Sequence, residues 1–187
     1  MAAWARSPRL GKAVVSGWNS QPPEAGLKSR VATMKTLLYV EDSPDDRFLV
    51  ERACGMGQVS FLLKTVESGF EAIRYLSGEE EFGDRAENPI PDLILLDLQM
   101  READGFEVLR WIRGDPTTRA IPVALYTGSF IAEDIAKAYS EGANYFITKP
   151  SQLAALIEIV RAVDQCLASD STRCEALARF STPAGPR

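Results

Sequence analysis

The chain has 187 residues, 45% hydrophobic and 25% charged, the proportions of an ordinary globular protein with about one domain of ~150 residues and some length to spare. That argues against a fibrous or wholly disordered chain, and no stretch approaches the ~18 consecutive apolar residues of a membrane span. The net charge is −5 and histidine is absent, which excludes a Ser-His-Asp triad, a Cys-His dyad and any histidine metal ligand.

Residues 1–33 carry Arg6, Arg9, Lys12, Lys28 and Arg30 against Glu24 alone, so this segment is basic and the remainder acidic. The acidic remainder is a poor general binder of nucleic acid. Pro8, Gly11, Gly17, Pro22, Pro23 and Gly26 break any periodicity, and the segment reads as a disordered arm. Its apolar Ala13-Val14-Val15 is too short for a secretory signal. Met34, just before the first strand, is a candidate for the true start of translation.

From Lys35 onward, strand and helix alternate. Thr36–Val40 is a buried strand ending in Glu41-Asp42, and Ser43-Pro44-Asp45-Asp46 then opens a helix. Ser is its N-cap, Pro fits the first helical position, and the acids suit the first turn. Phe48, Leu49, Arg52 and Ala53 carry the helix to Gly55 and Gly57. A second strand runs from Val59 to Val66 and a helix from Gly69 to Leu76, followed by a polar loop over 77–91. Leu93–Leu96 is a strand apolar on both faces, ending at Asp97. Asp104-Gly105 precedes a helix with Phe106, Leu109, Trp111 and Ile112.

Val123–Tyr126 is a fourth strand ending at Thr127-Gly128-Ser129, and Ala132–Glu141 a helix stopped by Gly142. Tyr145–Ile147 is a short fifth strand ending at Thr148-Lys149-Pro150, and Ser151–Leu167 the last strong helix. Residues 169–187 read as a flexible tail, with room for a helical turn over Ala176–Phe180. The domain is therefore expected over 34–168. Cys54, Cys166 and Cys174 form an odd set without a CxxC pair. They are expected to be free, with a reducing cytoplasm as the compartment.

Continuous apolar strands alternating with helices mean an α/β protein with a doubly wound parallel sheet covered on both faces. Sites in such sheets lie outside the carboxyl ends of the strands. There stand Glu41, Asp42, Asp97, Thr127 and Lys149, from four strands. Clustered carboxylates repel, and a hard divalent cation such as Mg²⁺ relieves that without needing His or Cys. The set fits phosphoryl transfer to an aspartate, with the lysine neutralising phosphoryl oxygens. Gly128 beside Thr127 leaves room for the incoming group.

The motifs LLYVEDSPDD (37–46), LILLDLQM (93–100), ADGFEVLRWIR (103–113), LYTGS (125–129) and YFITKP (145–150) resemble those of response-regulator receiver domains. The resemblance implies a flavodoxin-like sheet of order 2-1-3-4-5 and a role in two-component signalling. By it, Asp97 is the phosphoacceptor. Asp42, Asp97 and the backbone carbonyl of Gln99 are Mg²⁺ ligands, with Glu41 acting partly through water. Thr127 and Phe146 are the switch pair, and Lys149 binds phosphate. Lys149-Pro150 matches a bond that is cis in the family. Phe146 is expected to rotate inward on phosphorylation.

Arg101 departs from the pattern, standing where the family commonly has Pro. The long loop 77–91 and the Glu41-Asp42-Ser43-Pro44-Asp45-Asp46 opening resemble a single-domain subgroup that pairs with phytochrome-type kinases. The partner is then a histidine kinase or phosphotransfer protein. Output is expected through protein contact, with homodimerisation one option and direct DNA or membrane binding not expected. A turnover enzyme is not expected either. An aspartyl phosphatase would want an acid at Gln99, and a flavin site would want a phosphate loop after the first strand. A phosphorylation-independent scaffold is the remaining alternative.

Overall fold

The computed structural model describes residues 34–101, 104–129, 131–169 and 174–183. The expected arm over 1–33 and Met1 lie outside them. Five strands form one sheet: β1 (Thr36–Val40), β2 (Leu62–Val66), β3 (Leu93–Leu96), β4 (Val123–Thr127) and β5 (Tyr145–Thr148). Their order is β2-β1-β3-β4-β5 and every pairing is parallel, as the apolar runs and the family resemblance imply. The intervening helices are α1 (Pro44–Gly57), α2 (Gly69–Ser77), α3 (Gly105–Gly114) and α4 (Ala132–Ser140). Then come α5 (Leu153–Ala168) and a short α6 (Glu175–Ala178).

Strand side chains alternate between faces, so the sheet builds two cores. Leu37, Tyr39, Leu93 and Leu95 pack with Val50 and Ala53 of α1 and Val160 and Val163 of α5. Leu38, Val40, Ile94 and Leu96 pack with Tyr75 of α2, Leu109 and Ile112 of α3, and Ala138 of α4. Every β1 and β3 residue is buried, the mark of central strands covered on both sides.

Capping fixes where the helices begin. Ser43 Oγ accepts from Asp46 N at 3.3 Å, Ser68 Oγ from Glu71 N at 3.2 Å, and Asp104 Oδ1 from Phe106 N at 3.1 Å. The second strand begins at Leu62, not Val59. Residues 58–60 close the end of α1: Gln58 takes a left-handed φ of 55°, Val59 N–H reaches Cys54 O, and Ser60 binds Asp164 of α5. The last helix begins at Leu153, because Ser151 and Gln152 are used in the turn out of β5.

The polar loop after α2 is pinned from within. A 3₁₀ turn spans Glu80–Phe82, and the Arg85 guanidinium donates to the carbonyls of Tyr75, Leu76 and Asn88. Gly78 caps α2 at φ 71°, and a Cβ there would lie 2.7 Å from that guanidinium.

Three expectations are corrected. Cys166 and Cys174 form a disulfide, with Cα atoms 5.3 Å apart and a sequence separation of 8. The return of the chain after α5 brings them together, which motif spacing does not encode. Cys54 alone is a free, buried thiol. The Lys149–Pro150 bond is trans, since no cis peptide occurs among the described residues. A prolyl bond favours trans by about 0.5–1 kcal/mol unless its surroundings select cis. Finally, residues 174–183 fold back on the domain instead of forming a loose tail: Leu177 is buried, and Ser181 bridges Ile147 of β5.

Candidate functional site

At the carboxyl edge of the sheet, Lys149 is the hub. Its Nζ donates to Glu41 Oε2 at 2.6 Å, Asp46 Oδ2 at 2.7 Å and Asp97 Oδ2 at 2.9 Å. These partners come from the end of β1, the first turn of α1 and the end of β3. The parallel register explains the convergence. β1 and β3 pair Val40 with Leu96, so Glu41 and Asp97 leave adjacent strands at the same height.

Both acids are deeply placed, Glu41 at 1% exposure and Asp97 at 4%. Burial raises the Glu41 carboxyl above its ordinary value, against the opposing pull of Lys149 and the Tyr39 hydroxyl. That hydroxyl donates to Glu41 Oε2 at 2.8 Å, and Ser43 N–H binds Oε1 at 3.2 Å. Burial, then the adjacent Glu41 charge, drives the Tyr39 phenol far upward, so it remains a donor. For Lys149, burial alone would favour the neutral amine. Its bonds to Asp46, Glu41 and Asp97 more than reverse this and hold the ammonium charged well above the usual lysine range. One cation thus neutralises a cluster of carboxylates that would otherwise repel.

Asp97 Oδ1 accepts from Gln99 N–H at 3.2 Å. Its backbone is set by the close approach of α3: Gly105 N–H donates to Leu98 O at 3.2 Å. A Cβ at Gly105 would fall 2.2 Å from Asp97 O, so this position requires glycine.

Asp42 is engaged by Arg101. Its Oδ2 takes both the backbone N–H of Arg101 at 3.1 Å and the Arg101 Nε–H at 3.0 Å. Its partial burial would raise its pKa, but the Arg101 bonds outweigh this and hold the carboxyl below its ordinary value. Beside this pair lies a polar cleft of about 400 Å³, lined also by Glu67, Ser68, Glu71 and Arg74.

Thr127 ends β4, with its side chain fully buried and its Oγ1 accepting from Ser129 N–H at 3.2 Å. Its carbonyl accepts from Lys149 N–H at 2.9 Å, which ties the ends of β4 and β5 together. The space at Gly128 is open. Phe146 is already fully buried in the core beneath α2, α3 and α4, so the inward rotation expected of it has no outward starting point here. Its neighbours on that face of the sheet are apolar, and they hold the ring in.

Glu41, Asp97 and Lys149 thus meet as the sequence suggests. Asp46 joins them unannounced: its position in the first turn of a helix reads as a capping acid, and only the path of β5 brings Lys149 to it. Among the described residues, no three acidic or cysteine side chains are gathered round one open point. Asp42 is held by Arg101, and Lys149 stands among the others. The chemistry of the donors is nevertheless that of a hard cation: carboxylates and carbonyls, all oxygen.

A buried aspartate at the end of the middle strand, with a lysine on one oxygen and acids at the end of the first strand, is a receiver arrangement. Residues 37–161 match the model of the response regulator receiver domain. This chain belongs to that family. Receiver domains serve two-component signalling.

Among its relatives is the response regulator Rcp1 of a Synechocystis species, 32% identical over 130 residues, covering 70% of this chain and 86% of the relative. The phosphorylated cyanobacterial phytochrome response regulator RcpA has a similar structure: TM-score 0.66, 36% identity, 74% of this chain and 96% of the other. The Mn²⁺-bound form of Rcp1 superposes with TM-score 0.64 at 31% identity, over 73% of this chain and 96% of the other. The sheet order, the receiver family and the likeness to phytochrome response regulators therefore stand together. No helix among the described residues is long and apolar enough to cross a membrane.

Proposed function

We propose that this receiver is a phosphorylation-controlled response regulator whose acceptor is Asp97 and whose donor is the phosphohistidine of a partner histidine kinase or phosphotransfer protein. The observation that carries the reading is the contact of Lys149 Nζ with Asp97 Oδ2 at 2.9 Å on a carboxylate 4% exposed. In transfer, an Asp97 oxygen forms a bond to phosphorus as the phosphorus–nitrogen bond breaks. The imidazole nitrogen leaves with the electron pair and takes a proton. Lys149 follows the negative charge onto the phosphoryl oxygens, loosening its hold on Glu41 and Asp46. Thr127, at the end of the next strand, supplies a hydroxyl to another phosphoryl oxygen and draws the 127–129 loop inward.

Glu41, Asp42, Asp97 and the Gln99 carbonyl are the residues that would hold a divalent cation, Mg²⁺ in our reading. When bound, that cation neutralises phosphoryl oxygens. Asp42 is available to it once Arg101 lets go. The kinase is of the phytochrome type, in keeping with the likeness to the phytochrome response regulator RcpA. Output is through protein contact in the cytoplasm, and the chain accelerates its own phosphorylation without turning over a separate substrate.

The test is labelling with acetyl phosphate and Mg²⁺. The wild type should take up about one phosphoryl group, labile to hydroxylamine, and Asp97→Asn none. Stoichiometric labelling of Asp97→Asn, with the label mapped to another residue, would overturn the assignment.

A further inference from the structure

β5 is the outer strand of the sheet on its side. The outer edge of such a strand presents N–H and C=O groups that want partners. Here the chain's own C-terminal segment supplies them. Ser181 forms an antiparallel bridge to Ile147, Thr182 N–H donates to Phe146 O at 2.8 Å, and Phe146 N–H donates to Ser181 Oγ at 2.9 Å. The segment also reaches α4, where the Tyr139 hydroxyl donates to Thr182 O at 2.6 Å and lies 2.9 Å from Ser181 Oγ. Leu177 is fully buried against the α1–α5 face of the sheet. Residues 174–183 therefore cover the edge made by α4, β5 and α5 and hold the backbone of the strand that carries Phe146 and leads to Lys149.

What anchors this cover is covalent. α6 has only four residues, too few to be helical by themselves. At its start, Cys174 is bonded to Cys166 in the last turn of α5, and Cys174 N–H donates to the Tyr145 hydroxyl at 2.8 Å. Closing so short a loop through sulfur shifts the local balance toward the covered state by about 10²-fold. In the cytoplasm proposed above for this receiver, on which this step rests, a disulfide is usually a redox-sensing one.

We propose that Cys166 and Cys174 are a thiol–disulfide modification site, operated by a dithiol reductant, whose reduction releases residues 174–183 from the β5 edge. One reductant thiolate attacks a protein sulfur and the protein S–S bond breaks, giving a mixed disulfide and one protein thiolate. The second reductant thiol, as thiolate, displaces the remaining protein sulfur. Two electrons and two protons pass to the protein, and the reductant leaves as its disulfide. Oxidation by a disulfide of the same class restores the cover. The proposal does not depend on phosphorylation of Asp97.

The experiment uses the full chain, oxidised with oxidised glutathione or reduced with dithiothreitol. Denatured without reductant, the oxidised protein should show one titratable thiol, Cys54, and the reduced protein three. Hydrogen exchange of the folded protein should then be faster for the Thr182 and Cys174 amides by 10- to 100-fold on reduction, with the β1 and β3 amides unchanged. Cys166→Ser/Cys174→Ser should match the reduced state whatever the redox buffer, and Asp97→Asn should behave as wild type. Three thiols after oxidation, or amide exchange at 174 and 182 unchanged on reduction, would overturn the proposal. Because the wild type is compared with itself, a variant that folds poorly leaves the result intact.

Discussion

Arg101 grips a single oxygen of Asp42 twice, through its backbone N–H and through Nε–H. The side chain of Arg101 is 82% exposed, so the ion pair is worth at most about 1 kcal/mol in water. Asp42 is nonetheless one of the carboxylates the proposed cation needs, and guanidinium and metal compete for it. Arg101→Ala should therefore bind Mg²⁺ up to about 5-fold more tightly than wild type. Titration calorimetry, or the intrinsic fluorescence of the folded protein, reads this directly. Unchanged or weaker binding would dismiss the competition.

The buried hub makes a prediction at alkaline pH. Lys149 is raised above its ordinary 10.5, and Tyr39 is raised above 10.0. For both, the folded state keeps a proton that the unfolded chain has already lost, so the folded state is favoured fully below about pH 10 and progressively less above it. Urea midpoints should fall between pH 9.5 and 11 more steeply than in Tyr39→Phe, which removes one of the two contributions. A pH profile identical in the two proteins would contradict the assignment.

Lys149→Met should cost stability at pH 7, because it strands Glu41 and Asp97 near one another. The expected loss is about 1–3 kcal/mol, kept below that of a fully dry pair by the 19% exposure of the lysine. Part of it should return on acidification, because burial raises the Glu41 carboxyl above its ordinary value and loss of the lysine removes what opposes that rise. Denaturant unfolding at pH 7 and under progressively more acidic conditions measures both. A variant as stable as wild type at pH 7 would show that the acids are tolerated without their cation.

Gly105→Ala places a methyl group 2.2 Å from the carbonyl oxygen of Asp97. Backbone must move, at about 1–3 kcal/mol or more. Because the displaced carbonyl belongs to the proposed acceptor, the rate of phosphoryl uptake should fall along with the melting temperature. An unaltered melt and unaltered labelling would refute the close approach.

Arg85→Ala removes the donor that satisfies the last carbonyls of α2 and the carbonyl of Asn88. A loss of about 1–3 kcal/mol follows if those groups are left unpaired. Cleavage within 79–89 by a nonspecific protease should accelerate. Arg85→Lys should not restore the wild type, since one ammonium cannot reproduce the planar fork.

Much of this protein was readable along the chain. The continuous apolar runs at Thr36–Val40 and Leu93–Leu96 are what a strand buried on both faces demands, so local composition already implies a covered parallel sheet. Ser43-Pro44-Asp45-Asp46 announces a helix start because capping is a local interaction. Glu41, Asp97 and Lys149 could be gathered in advance, since a parallel sheet sends all its carboxyl ends to one rim. What lay beyond the sequence were contacts between side chains far apart in the chain. Asp46 joins Lys149, Arg101 occupies Asp42, and Phe146 lies already inside. Cys174 meets Cys166, and Ser181 closes the edge of β5. These depend on how helices and returning segments pack in three dimensions, and no periodicity or spacing records distances of that kind.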